Sequence, residues 1–153
     1  SNNISIYSTL NTPSFSPPGF LFPIVWTILY LLMGIASYLI IASDSPNKTY
    51  ALSIYGIQLF LNFLWSIVFF NLQNYAGAFI ILMILWFLIL LMIINYWQIN
   101  AVAGILLLPY LIWVTFAGIL NLYIVLFNWS VYWTFLNSCI YLYIKFFLYF
   151  LLF

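Results

Sequence analysis

Pro13-Ser14-Phe15-Ser16-Pro17-Pro18-Gly19-Phe20-Leu21-Phe22-Pro23-Ile24-Val25-Trp26-Thr27-Ile28-Leu29-Tyr30 is the stretch on which the reading of the chain turns. A proline-dense turn runs directly into a long apolar segment. Pro17 and Pro18 do not fit a helix interior, but proline is accepted in a first turn, where its missing N–H costs nothing. The stretch therefore predicts a stiff surface loop that ends near Phe20, with a helix beginning there and Pro23 in its opening turns. Trp26 and Tyr30 stand four residues apart and share one helix face.

Composition sets the environment of that helix. Of 153 residues, 69% are hydrophobic and 24% aromatic; two Lys and one Asp are the whole charge inventory, with no His. A soluble domain carries about 25% charged residues, whereas this chain has 2%. It cannot build a water-facing surface, so it reads as an integral membrane protein. Sustained apolar runs without two-residue alternation argue against a β-barrel. Without a basic patch there is no case for a nucleic-acid partner. The single Cys139 forbids an internal disulfide framework. No basic region precedes an apolar leader, so no targeting segment is expected.

Outward from the opening stretch, the chain divides into apolar runs of spanning length. Residues 1–12 are short and polar and read as an irregular lead. Helices are expected at 20–42, 49–70, 75–96, 101–127 and 129–153, in one membrane domain over 1–153. Asp44 and Lys48 lie in the one clearly hydrophilic turn. In the second helix Gln58, Asn62 and Ser66 form a polar stripe at four-residue spacing, with Trp65 beside it. Amides in hydrocarbon need partners, so this stripe should face other helices or a cavity. The third helix is the most uniformly apolar and is expected to face lipid. Tyr96 and Trp97 then sit in a turn at the membrane interface. Pro109 should kink the fourth helix. Beyond it Trp113, Ala117 and Asn121 recur at four-residue spacing. The fifth run, 129–153, carries Lys145 near its end.

Catalytic chemistry is poorly supplied. One carboxylate, one thiol and no His leave no zinc site, triad or carboxylate pair, and no acid for a proton relay. No catalytic or metal-binding residue is assigned. The remaining groups are indoles, phenols, amides and hydroxyls. They can build an aromatic-walled pocket with a few hydrogen bonds, suited to a flat hydrophobic ligand such as a sterol or tetrapyrrole. Each residue also has a plainer reading. Trp26, Trp65 and Trp113 can be bundle packing, Asn62 and Asn121 helix–helix glue, Ala117 a close-approach residue, and Tyr96 and Trp97 members of an aromatic belt.

Four clusters together resemble the translocator protein family, also called tryptophan-rich sensory proteins or peripheral-type benzodiazepine receptors. They are Tyr7, Leu10, Pro13-Ser14-Phe15 and Pro17-Pro18; Pro23, Val25-Trp26, Leu29-Tyr30 and Met33-Gly34; Gln58-Leu59, Leu61-Asn62, Trp65 and Phe69-Phe70; and Pro109-Tyr110-Leu111, Trp113, Phe116-Ala117 and Leu120-Asn121. The Tyr96-Trp97-Gln98 segment fits as well, and the likeness covers about residues 7–128. It implies an all-α membrane bundle of about five transmembrane helices, commonly a homodimer, in a bacterial or mitochondrial membrane. A pocket opens under the loop before residue 20. The resemblance implies binding of a porphyrin or haem-like compound, a sterol or a synthetic carboxamide ligand, with no required cofactor and a role in transport, reception or sensing. Trp26, Trp113, Asn62, Trp65, Ala117 and Asn121 match its pocket positions, and Tyr30, Tyr96 and Trp97 complete the set of ligand-binding residues expected. Some bacterial members degrade protoporphyrin in light, and Trp26 and Trp113 match the tryptophans tied to that activity.

Two departures shape the expectation. The family carries a helix ahead of the proline turn, where this chain shows polar residues, and it ends soon after the asparagine matching Asn121, where this chain continues to Phe153. The fold expected is therefore translocator-protein-like with its first helix missing and an extra C-terminal apolar helix. A structural subunit of a larger membrane complex is the alternative to a ligand-binding protein. Tyr123 also lacks the basic residue that the family's sterol motif places after its tyrosine.

Overall fold

The structure is a computed structural model that describes residues 17–127; the expectations for residues 1–16 and for a helix over 129–153 lie outside them. Within that range the chain is helical: α1 Leu21–Ile41, α2 Lys48–Ser66 continued by a π-helical turn Ile67–Asn71, α3 Tyr75–Ile99, α4 Ala101–Leu106 and α5 Leu108–Phe127. Four segments are long and apolar enough to cross a membrane, α4 and α5 together forming the fourth. Helices are the solution hydrocarbon imposes, because each backbone N–H must find its acceptor inside the same segment.

The start of α1 follows its sequence. The Leu21 N–H donates to the Pro18 carbonyl at 2.9 Å, and Pro23 falls in the first turn, where no intrahelical donor is lost. At the other end, Ser43 Oγ donates to the Ile40 carbonyl at 2.7 Å and Lys48 Nζ to the Ser43 carbonyl at 3.1 Å. The Ser43 N–H also donates to the Ile40 carbonyl, at 3.2 Å, so these bonds together close the end of α1 and the turn after it. The hydrophilic turn at Asp44 and Lys48 is where the sequence placed it.

Three expectations are corrected. The third helix does not end at Tyr96. It runs to Ile99, so Tyr96, Trp97 and Gln98 form its last turn, and Asn100 alone links it to α4. Asn100 makes that possible by capping α4: its Oδ1 accepts from the N–H groups of Val102 and Ala103 at 2.9 and 3.2 Å. The segment holding Pro109 is broken rather than bent. Proline cannot donate to the carbonyl four residues back, and Leu107 instead donates to Gly104 at 3.2 Å, closing α4 one turn early.

Nor is α3 a peripheral, lipid-facing member. It packs against every other described helix, through Ala78, Leu82, Leu85, Ile89, Met92 and Tyr96. Ile80, Ile84, Phe87, Leu91 and Ile94 on its other side are exposed. Both faces are equally apolar because lipid accepts the outer one.

Buried polar side chains tie the bundle together. Tyr110 OH donates to Gln58 Oε1 at 2.8 Å and accepts from Asn62 Nδ2 at 3.1 Å. Gln58 Nε2 reaches Met33 Sδ at 3.6 Å, so α1, α2 and α5 share one network. Ser37 Oγ and Tyr96 OH share a second bond, of 3.0 Å, between α1 and α3.

Replacing Tyr110 with Phe removes partners from two buried amides and should lower stability by about 1–2 kcal/mol. Tyr96→Phe should cost less, because Ser37 can turn its hydroxyl to a carbonyl of its own helix. Heating detergent-solubilised protein and measuring the monodisperse fraction gives the order; equal losses would contradict it. A Cβ on Gly104 would stand 3.0 Å from the Cα and Cβ of Trp97, whereas Gly34 has open space. Gly104→Val should therefore destabilise by about 1–3 kcal/mol, and Gly34→Ala should be near neutral in the same assay.

Candidate functional site: an aromatic cavity between three helices

Rings bridge α1 and α5 at one end of the bundle. Trp26 meets Tyr110 with centroids 6.2 Å apart, and Phe22 meets Trp113 at 5.7 Å, both edge to face. Beside these bridges lies a cavity of about 400 Å³, within the size range of small-molecule sites. It is formed by the start of α1, the end of α2 with its π-helical turn, and the second half of α5.

The α1 wall consists of Phe22, Pro23, Trp26 and Tyr30, with Gly19 of the preceding turn at its edge. Trp26 and Tyr30 stack obliquely at 5.6 Å, as their four-residue spacing requires. The turn that decided the reading of the sequence thus flanks the cavity, and the helix it starts provides one side.

The α2 wall holds Asn62, Phe63, Trp65, Ser66, Phe69 and Phe70. The π-helical turn carries both phenylalanines. Its wider i→i+5 bonding, seen in Leu72 N–H to Ile67 carbonyl at 3.1 Å, rotates successive side chains differently from an α-helix. Trp65, Phe69 and Phe70 form a cluster with centroid distances of 4.9–6.2 Å. On α5 the wall is Ala117, Leu120, Asn121 and Ile124.

Of the residues expected from the sequence, the cavity brings together Trp26, Tyr30, Asn62, Trp65, Ala117 and Asn121. Three lie apart from it. Tyr96 is fully buried between α1 and α3, bonded to Ser37. Trp97 is 49% exposed and packs on Gly104. Trp113 stands beside the cavity, behind Phe22. Helix geometry explains the last case. Steps of four residues overshoot a full turn by about 40°, so Trp113 sits about 80° around α5 from Asn121. The same drift splits the α2 stripe: Gln58 serves the inter-helix network, Ser66 the cavity, and Asn62 both.

Sequence reasoning omitted Phe22, Leu120 and Ile124 from the site, although each lies three or four residues from a residue it did select. Phe69 likewise lies four residues from Trp65, whereas Phe70, five residues on, reaches the cavity from a π-helical turn, which is not visible in a hydrophobic pattern.

No lining residue is charged; Asp44 and Lys48 belong to the turn at the opposite end of α1. Polarity comes from Asn62, Ser66, Asn121, the phenol of Tyr30 and two indoles. Asn62 is engaged with Tyr110. The Nε1 of Trp65 and both amide atoms of Asn121 are buried without hydrogen-bond partners. Among the described residues no group of His, Cys, Asp or Glu could hold a metal ion. The arrangement can therefore enclose an apolar body and offer it a few directed hydrogen bonds.

Comparison with known proteins agrees with this architecture. The TspO/MBR family profile matches residues 1–127. The chain is 40% identical over 122 residues to the tryptophan-rich protein TspO of Archaeoglobus fulgidus, covering 80% of this chain and 79% of the relative. It is 35% identical over 117 residues to protein CrtK of Rhodobacter capsulatus, covering 75% and 73%. It is 33% identical over 118 residues to the translocator protein of Ovis aries, covering 75% and 70%. With its spanning helices and this match over most of its length, the chain is an integral membrane protein of the TspO/MBR family.

Proposed function

We propose that the protein binds a flat hydrophobic ligand, of the tetrapyrrole or sterol-like class, in the cavity between α1, α2 and α5. The observation that carries this reading is the cavity's lining: aromatic on the α1 and α2 sides, small at Ala117, and without charge. Aromatic faces such as Trp26 and Phe70 attract a planar apolar body by burial and stacking. Ala117 leaves room for its thickness. A charged substituent of the ligand finds no counter-ion inside, so the carboxylates of a porphyrin project outward past Tyr30 and Phe63, which are 48% and 65% exposed. Binding of this kind serves sensing or transport rather than covalent chemistry, and one relative is named a tryptophan-rich sensory protein.

Titration of the full chain in detergent with protoporphyrin or a fluorescent sterol tests the reading, with tryptophan fluorescence as the signal. Saturable quenching is expected, since Trp26 and Trp65 line the cavity. Trp26→Leu should weaken binding about fivefold to tenfold, the equivalent of one lost stacking contact of about 1 kcal/mol. Ala117→Phe fills the space from within and should abolish binding while the protein stays folded. If neither ligand quenches saturably, the ligand-binding reading falls.

A further inference from the structure

Among the described residues α1 is buried on one side only. Leu29, Met33, Ala36, Ser37 and Ile40 face inward, and its helix contacts are with α2, α3 and α4. The opposite side carries a shallow groove made by α1 alone, lined by Thr27, Tyr30, Leu31, Gly34, Ile35 and Tyr38. Gly34 is its floor, where an added Cβ would meet nothing within 4 Å. Tyr30 and Tyr38 set half-exposed and exposed phenols along it. Tyr30 stands in the middle of α1, and a hydroxyl at that depth in hydrocarbon is costly to leave without a hydrogen-bond partner.

The chain itself supplies a segment of matching chemistry. Residues 128–153 follow α5 and lie beyond the stretch that the family profile matches. Because α5 ends at the end of the bundle where α1 begins, a segment returning across the membrane from Phe127 runs in the direction of α1. From residue 131 onward its Thr, Asn, Ser and Lys residues are Thr134, Asn137, Ser138 and Lys145. Those positions repeat as one face of a helix, and Tyr141 falls on the same stripe. A helix from Asn128 to Lys145 would be about 27 Å long, close to the ~30 Å of hydrocarbon it has to cross. Lys145 is thereby delivered to the end that holds Asp44, the chain's one carboxylate, and Asn137 is left near mid-depth, as Tyr30 is.

We propose that residues 129–153 cross the membrane as a helix and dock parallel to α1 on its outer face, with the stripe from Thr134 to Lys145 laid along the groove at Tyr30 and Gly34. An amide turned to lipid at mid-depth would have no partner; against α1 it meets a phenol. Gly34 lets the two helices approach closely, and Lys145 snorkels to the aqueous border beside Asp44. Leu136 and Phe147, on the other side of the segment, then face lipid. A second copy of the chain on the same groove would cover Gly34 but leave the polar stripe unanswered. Since Tyr30 lines both the groove and the cavity, the docked segment backs the α1 wall of the cavity.

Disulfide cross-linking in lipid bilayers tests this. Cys139 is the chain's single cysteine, so Cys139→Ala gives a cysteine-free full-length background. Into it go Ser138→Cys or Tyr141→Cys, each paired with Leu31→Cys or Ile35→Cys in the groove. Control pairs join Ser138→Cys to Phe60→Cys on α2 or to Phe87→Cys on α3, both exposed positions in mid-helix. With a membrane-permeant oxidant, at least one groove pair should close within the chain about tenfold faster than either control, read as loss of free thiol in a monomer band. Gly34→Phe fills the groove and should slow that cross-link about tenfold. Control pairs that react as fast as the groove pairs would overturn the proposal. So would disulfides formed only between chains, the result expected if a second copy covers the groove. Failure of every groove pair, the result expected if lipid fills it, would overturn it as well.

Discussion

The centre of this bundle is apolar, and an amide or phenol buried there is costly to leave without a hydrogen-bond partner. The Gln58–Tyr110–Asn62 network is the chief consequence. One phenol holds two amides of α2 from α5, while Gln58 extends the connection to Met33 on α1. Apolar contact alone does not choose among helix arrangements in lipid, because the tails are as apolar as leucine. Directed bonds between specific positions do choose. They fix the rotation of α2 and α5 about their axes, and that rotation turns Trp65, Ala117 and Asn121 toward the cavity.

The cavity is a product of the same constraint meeting bulky side chains. At the Asp44–Lys48 end, small or flexible residues such as Ala36, Met33 and Ala51 are fully buried, and α1 packs closely along α4. At the other end Trp26 and Phe22 reach across to Tyr110 and Trp113. Interposed rings span the distance between helices at points, and the space beside them is left open. The break at Leu107 and the π-helical turn at the end of α2 lie on either side of this region. Both are departures from regular α-helix of the kind that collects at functional sites. The amide of Asn121 is buried in the cavity lining without a partner, in contrast to the satisfied Gln58–Tyr110–Asn62 network.

How far residue patterns reach is visible in particular elements. The polar stripe of α2 was legible because an amide among apolar residues is conspicuous, and six of the nine expected site residues line one cavity. The segment from Asn95 to Asn100 looks like a turn because polar residues cluster in it, yet Tyr96 and Trp97 lie in the last turn of α3. Asn100 is instead a helix cap between two packed helices, and a cap and a turn use the same side chain. The central position of α3 was invisible, since its buried and lipid-facing sides carry the same Leu and Ile.

By itself, the sequence determined the solvent, the helices and most of their limits. Near absence of charge allows only a membrane interior, and in hydrocarbon the backbone can only close on itself as helices. It also determined the family, through motifs spaced along α1, α2 and α5. Tertiary structure alone decided which helix is central, how far a stripe of four-residue spacing drifts around its axis, and which of several identical amides finds a partner. Those outcomes depend on the rotation and separation of helices. Interactions between residues 48 or more positions apart, such as Asn62 with Tyr110 and Ser37 with Tyr96, set them, and no local pattern contains that information.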